Sequence, residues 1–343
     1  MVVGKVIDGA DSAQRRFPPL GFPLAVIYKF FDDQGNYLAA IITYYAFVAI
    51  FPLLLLGYSI LGLVLQGNDA LREELIDSAL SQFPIIGDQL GQPEGLQGST
   101  TAIVIGGLVA LYGALGLGQA LQNALNIAWS VPRNSRPNPL LLRLKSLGLL
   151  MSAGLAVLAL SVLSALSTNT KVLGETIASY SWPIRVVSIV VISCVLTVLF
   201  RFGTSRGHRF WGAVPGALTT ALLWLVLQYA GTAYVTNVVT ETKGMNQTFA
   251  VVLGLMGLIY IAAVMGMIGI EVNVVLNRRL WPRALLTPFT DRVDLTEADK
   301  RAYTGYALAQ RHKGFETVAV TFTDTQKLRL VAEEPDDDAD HAS

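Results

Sequence analysis

The sequence predicts an all-α, polytopic membrane protein: six transmembrane helices, N and C termini cytoplasmic, with interfacial helices alongside. Three observations carry that prediction. Hydrophobic residues make up 52% of the 343 positions and charged residues 15%, where a soluble domain is about 25% charged. Six long stretches hold no Asp, Glu, Lys or Arg: 34–68, 95–132, 146–170, 186–200, 210–240 and 244–270. The basic residues between them fall on alternating sides. A net charge of zero also excludes a nucleic-acid binder built on positive charge, and the apolar content excludes a disordered chain.

The spans follow from length. Crossing about 30 Å of hydrocarbon takes roughly 20 helical residues. The predicted helices are 38–65, 101–129, 146–168, 184–202, 211–236 and 249–277. The fourth is short, and Arg185 and Arg201 can snorkel from its ends. The connections after spans two and four, with the end of span six, carry ten Arg or Lys from Arg133 to Arg283 and no acid. The alternate connections carry Arg72, Lys171, Arg185 and Lys243 among eight acids. That asymmetry puts the basic side in the cytoplasm. Three segments result: a cytoplasmic N-terminal segment over 1–36, the transmembrane domain over 37–283, and a cytoplasmic tail over 284–343.

Before span one, Leu24, Ile27, Tyr28 and Phe31 recur at helical spacing beside Lys29, Asp32 and Asp33. This predicts an interfacial helix with its apolar face on lipid. No removable signal peptide is read there. In the first outer loop, Leu71, Leu75, Ala79 and Phe83 predict a second amphipathic helix. In the tail, Thr296 and Asp299 stand in capping-box positions. Residues 315–324 alternate like a strand, and the acidic run after Pro335 reads as disordered. If the tail is an appended, largely disordered module, cutting the chain after about Arg292 leaves insertion and stability nearly unchanged.

Polar residues inside spans are costly and mark seams or cavities. Span two carries Gln119, Gln122, Asn123 and Asn126 on one face, span six ends with Glu271 and Asn273, and span one carries Tyr44 and Tyr45. Glu271 lies seven residues before Arg278, about 10 Å inside the boundary. Its candidate partners are Asn126, Gln122 and the Arg143/Lys145 pair. Both a hydrogen-bonded seam and an inward-facing polar cavity remain open readings. Pro52 predicts a kink in span one, while the span glycines, Gly212 and Gly216 among them, read as packing positions. The single cysteine, Cys194, reads as a small core or lipid-facing residue. The three histidines lack ligand spacing, and no phosphate-binding glycine loop occurs. No enzyme activity, cofactor or metal is expected.

Four segments resemble the YihY/virulence factor BrkB membrane proteins, once mislabelled as ribonuclease BN. They are LAAIITYYAFVAIFPLLLL from Leu38, ALNIAWSVPR from Ala124, RFWGAVPGALTTALLW from Arg209, and the Gly269, Glu271, Asn273 ending of span six. Tyr260 stands near a position where such proteins carry Trp. The resemblance implies an inner-membrane protein of cell-envelope integrity that handles lipid or another amphiphile. The function expected is a secondary transporter or lipid exporter; the alternative is a non-transporting scaffold for an envelope complex. A ribonuclease would need clustered carboxylates or histidines, and the inner loops offer bases without acids. The expected partners are membrane lipids, with a homo-oligomer left open, and no nucleic acid.

Overall fold

The computed structural model describes residues 11, 14, 16–64, 100–138, 140–152, 154, 181–205, 209–234, 245–285 and 293–322. The regular structure among them is helical: α1 (Pro18–Asp32), α2 (Gly35–Val64), α3 (Thr100–Ala128), α4 (140–152), α5 (Ser181–Gly203), α6 (Val214–Tyr234), α7 (Met245–Arg278) and α8 (Glu297–Ala309). Among the described residues, three stretches are long and apolar enough to cross a membrane: Val186–Gly203, Phe210–Gly231 and Ala250–Arg278. The first two predicted spans form helices of 30 and 29 residues. Predicted span three is described only at its start. The outer-loop helix over 69–83 and the side chain of Pro52 lie outside the described residues, and with them the expected kink.

Helix α7 is the axis, packed against α1, α2, α3 and α6. It crosses α6 closely because Gly216 faces Gly269: a Cβ on Gly216 would sit 1.8 Å from the Gly269 carbonyl oxygen. Glycine there serves packing. The C-terminal ends of α3, α5 and α7 meet at one end of the bundle. The Ser205 amide donates to Asn126 Oδ1 at 2.8 Å, Lys145 Nζ donates to the Thr204 carbonyl at 2.9 Å, and Arg278 donates to the Trp129 carbonyl. Cys194 is exposed on α5.

Helices α3 and α7 stop in the same way at that end. Ser130 and Arg279 take positive φ values of 45° and 53°. After α3, the Val131 amide reaches back to Asn126 O and the Ser130 amide to Ile127 O; after α7, Leu280 reaches Val275 O and Arg279 reaches Leu276 O. Both are Schellman motifs closed by a buried apolar residue, Val131 or Leu280.

Helix α1 forms, with the apolar Ile27 and Phe31 more than half exposed and Lys29 and Asp33 buried. The helix N-terminal to span one thus inserts its ions into the protein. The tail is not a loose addition over its whole length. Thr296 and Asp299 form the capping box, and Ala298, Asp299 and Ala302 of α8 are buried. Finally, residues 316–322 form no strand. Val318 and Val320 are more covered than their neighbours, so the alternation is real, but no partner strand exists among the described residues to complete a ladder.

Candidate functional site

The most unusual chemistry lies where α1, α7 and α8 meet the end of α3. Lys29 of α1 has three ammonium protons and three acceptors around them. It bonds to Asp33 one turn on, donates to the Ala128 carbonyl at 3.0 Å, and stands 3.6 Å from Glu271 Oε2 of α7. Its charge also faces the Tyr306 ring of α8, 5.0 Å from the centroid. Lys29 is 1% exposed and Glu271 0%. Lys29 is the cation that faces Glu271, and the Asp33 carboxyl shares it. One ammonium therefore serves two carboxyl groups, and the trio is one proton short of neutral. Burial, the largest effect, pushes the Asp33 carboxyl above its usual range, with Lys29 pulling against it.

A second cluster lies beside the first. Arg283 is fully buried, donating from Nε to Asp299 Oδ1 at 2.8 Å and from Nη1 to Asp32 Oδ2 at 2.7 Å. Tyr28 and Tyr303 present their rings to its guanidinium at 5.8 and 5.4 Å. Burial alone would lower the Arg283 pKa, but Asp32 and Asp299 outweigh it and raise it. Asp299 Oδ2 accepts from the Ala284 and Thr296 amides and from Thr296 Oγ1, so one carboxylate both caps α8 and anchors it. Tyr306 joins the clusters, donating to Asp32 Oδ2 at 3.2 Å.

The residues singled out in the sequence are distributed differently. Glu271 belongs to the first cluster, and its partner is Lys29 rather than Asn126, Gln122, Arg143 or Lys145. Gln122 donates to Gly118 O, Leu142 O and Ser146 Oγ, joining α3 to α4. Asn126 accepts from Ser205, and Asn273 holds the start of α6 through Ala213 O and the Gly216 amide. Asn123 is exposed and accepts from Arg136; Gln119 is half-buried. Tyr44 is exposed and stacks edge-on with Tyr45, which faces Tyr112. A shallow groove of about 540 Å³ runs along α2 past Tyr37, Ala40, Ile41, Tyr44 and Tyr45. Sequence reasoning missed Lys29, Asp33, Asp32, Arg283, Asp299 and Tyr306 as a unit. The available signal was a Lys–Asp pair one turn apart within an apolar run.

Residues 26–290 match the family described as Virulence factor BrkB. The chain belongs to the virulence factor BrkB family. It is 27% identical over 271 residues to a UPF0761 membrane protein of Halorhodospira halophila, covering 76% of this chain and 58% of that one. The chain thus spans little more than half the length of that relative. It is 26% identical over 257 residues to an uncharacterized protein of Dickeya dadantii, covering 68% and 76% of the two chains. Inner membrane protein YhjD of Escherichia coli is 28% identical over 114 residues, 32% of this chain and 34% of that one. No solved structure matches. Within this BrkB-family chain the match takes in Lys29, Asp32, Asp33, Glu271 and Arg283. It ends before Asp299, Tyr303 and Tyr306, so α8 completes both clusters from beyond the matched region. Among the described residues, no group of three or more His, Cys, Asp or Glu is placed to hold a metal ion.

Proposed function

We propose that this protein is a multi-pass inner-membrane protein with six spans and cytoplasmic termini, acting in envelope integrity as a proton-coupled exporter of a lipid or similar amphiphile. One observation carries the reading: Glu271, on the long central helix α7, is fully buried and shares a single ammonium with Asp33. Two buried carboxyl groups served by one cation leave uncompensated charge unless one of them holds a proton, and such charge costs several kcal/mol. A trio that is neutral only with one extra proton can exchange that proton as its surroundings change. The name of the Escherichia coli relative supports the inner-membrane location.

The scaffold reading keeps one supporting observation. Gln122, Asn126 and Asn273 are bound to neighbouring helices, as a static seam requires. The readings separate in proteoliposomes carrying a fluorescent short-chain phosphatidylglycerol and an imposed pH gradient. An exporter moves the probe between leaflets faster with the gradient than without it, and Glu271→Gln removes that dependence while the protein stays folded. Movement equal to protein-free vesicles under both conditions leaves the scaffold.

A further inference from the structure

The extended run that follows α8 has the composition of a strand and lacks a ladder. Residues 317–322 read Thr-Val-Ala-Val-Thr-Phe, β-branched at four of six positions, and such residues favour a pleated, half-covered surface. Val318 and Val320 are partly covered while Thr317, Ala319 and Thr321 are exposed, so the two faces differ as those of a strand do. Among the described residues, no backbone group from Thr317 to Phe322 bonds another backbone group. The turn before the run is nevertheless tied down. The Arg311 carbonyl accepts from the Asn134 amide, in the connection after α3, at 3.2 Å. The Glu316 carboxylate accepts from the His312 and Lys313 amides at 2.6 and 3.1 Å. Proteins protect free strand edges with charges, proline or glycine kinks, and residues 317–322 contain none of these.

The order of the residues says which strand fits. Thr317 to Thr321 reads Thr-Val-Ala-Val-Thr, the same in both directions about Ala319. An antiparallel pair of two copies centred there sets Val318 against Val320 of the second copy, and Thr317 against Thr321. Opposed residues of an antiparallel pair share a face, so covered meets covered and exposed meets exposed. Opposed threonines also favour one another. A slip of one residue would set the valines against alanine and threonine and mix the faces. A palindrome is what a two-fold axis asks for, because residue i then meets j while j meets i; a strand from another protein would need none. We propose that residues 317–322 pair antiparallel with the same residues of a second copy, joining two chains through a ribbon centred on Ala319. A ribbon this short is marginal alone in water. Two chains held in one membrane by their helices meet at high effective concentration, so the pairing belongs to the membrane-embedded protein. It does not depend on the transport reading.

The test is disulfide cross-linking of the full-length protein in native membranes, with the single cysteine first removed as Cys194→Ala. Opposed residues of an antiparallel ladder have Cα atoms about 4.5–5.5 Å apart, within disulfide reach. Ala319→Cys should therefore form a disulfide-linked dimer under mild oxidation. Thr317→Cys alone should link about tenfold less, because this register sets it four residues, about 13 Å, from its own counterpart. Co-expressed Thr317→Cys and Thr321→Cys chains should link as Ala319→Cys does. Val320→Pro with Thr321→Pro should abolish the Ala319→Cys dimer and leave the elution of the folded protein in detergent unchanged. Successive amides point to opposite edges, so one of the two prolines removes a ladder donor whichever edge pairs. No dimer at Ala319→Cys, equal linking at Ala319→Cys and Thr317→Cys, or a link that survives both prolines overturns the ribbon. A disulfide band of a mass other than two chains overturns the self-pairing and assigns the strand to a different partner.

Discussion

Arg283 ties α8 to α1, because its fork reaches one carboxylate on α1 and another on α8 while tyrosines cover it on two sides. Removing it leaves Asp32 and Asp299 without their cation in a buried place. Arg283→Met should therefore lower stability in detergent by about 3–5 kcal/mol, the usual cost of breaking a buried pair from one side. Arg283→Lys should recover only part, since a point charge cannot address two carboxylates in one plane. Chemical denaturation with matched detergent checks both. The tyrosines give a pH signature. Burial, the largest effect, raises the hydroxyls of Tyr28, Tyr303 and Tyr306 above their ordinary value near 10, and nearby aspartates add to it at Tyr306. The unfolded chain then loses these protons before the folded one does, so their contribution is complete below pH 10 and is lost as pH rises above it. The thermal midpoint should fall above pH 10, and Tyr306→Phe should flatten that fall. A slope unchanged in Tyr306→Phe would remove Tyr306 from the explanation.

At the scale of elements, the sequence contained the helices and their caps but not their partners. Hydropathy gaps are local, so α2, α3, α6 and α7 were legible within a few residues, and Thr296 with Asp299 marked the start of α8 correctly. Which face of α1 turns inward is decided by Glu271, more than two hundred residues away, and no local pattern contains that. The same holds for Asp299, whose capping role was visible and whose bond to Arg283 was not. Two predictions follow from these ends. Ending the chain after Arg292 removes α8, and with it Asp299 and Tyr306, so folded yield in the membrane should drop sharply; size-exclusion of the truncated protein reads this directly. Arg279 is exposed and sits in the left-handed region at the end of α7, a conformation that costs a non-glycine residue about 1 kcal/mol. Arg279→Gly keeps the carbonyl that accepts from Arg301 and should raise the melting temperature by a few degrees.

For the whole molecule, the question is direction in the membrane. Loop charges bear on direction, and the bundle shows which helix ends lie together. The ends of α3, α5 and α7 touch through Asn126–Ser205 and Arg278–Trp129, and the start of α2 lies there too, since Lys29, a few residues before it, donates to the Ala128 carbonyl and pairs with Glu271. Helices α5 and α7 finish at the same end with α6 returning between them, as the proposed six alternating spans would require of that half. The basic residues Arg133, Arg136, Arg201, Arg278, Arg279 and Arg283 then gather at a single end, as a cytoplasmic face does. Reporter fusions after Arg136, Arg206 or Arg283 should read cytoplasm, and fusions near Asp88, Lys171 or Lys243 should read the opposite side. The fusion after Arg206 is the decisive one. An external signal there would detach the end of α5 from the end of α3, against the Ser205–Asn126 bond, so that single result would overturn the proposed six-span arrangement and the shared end together.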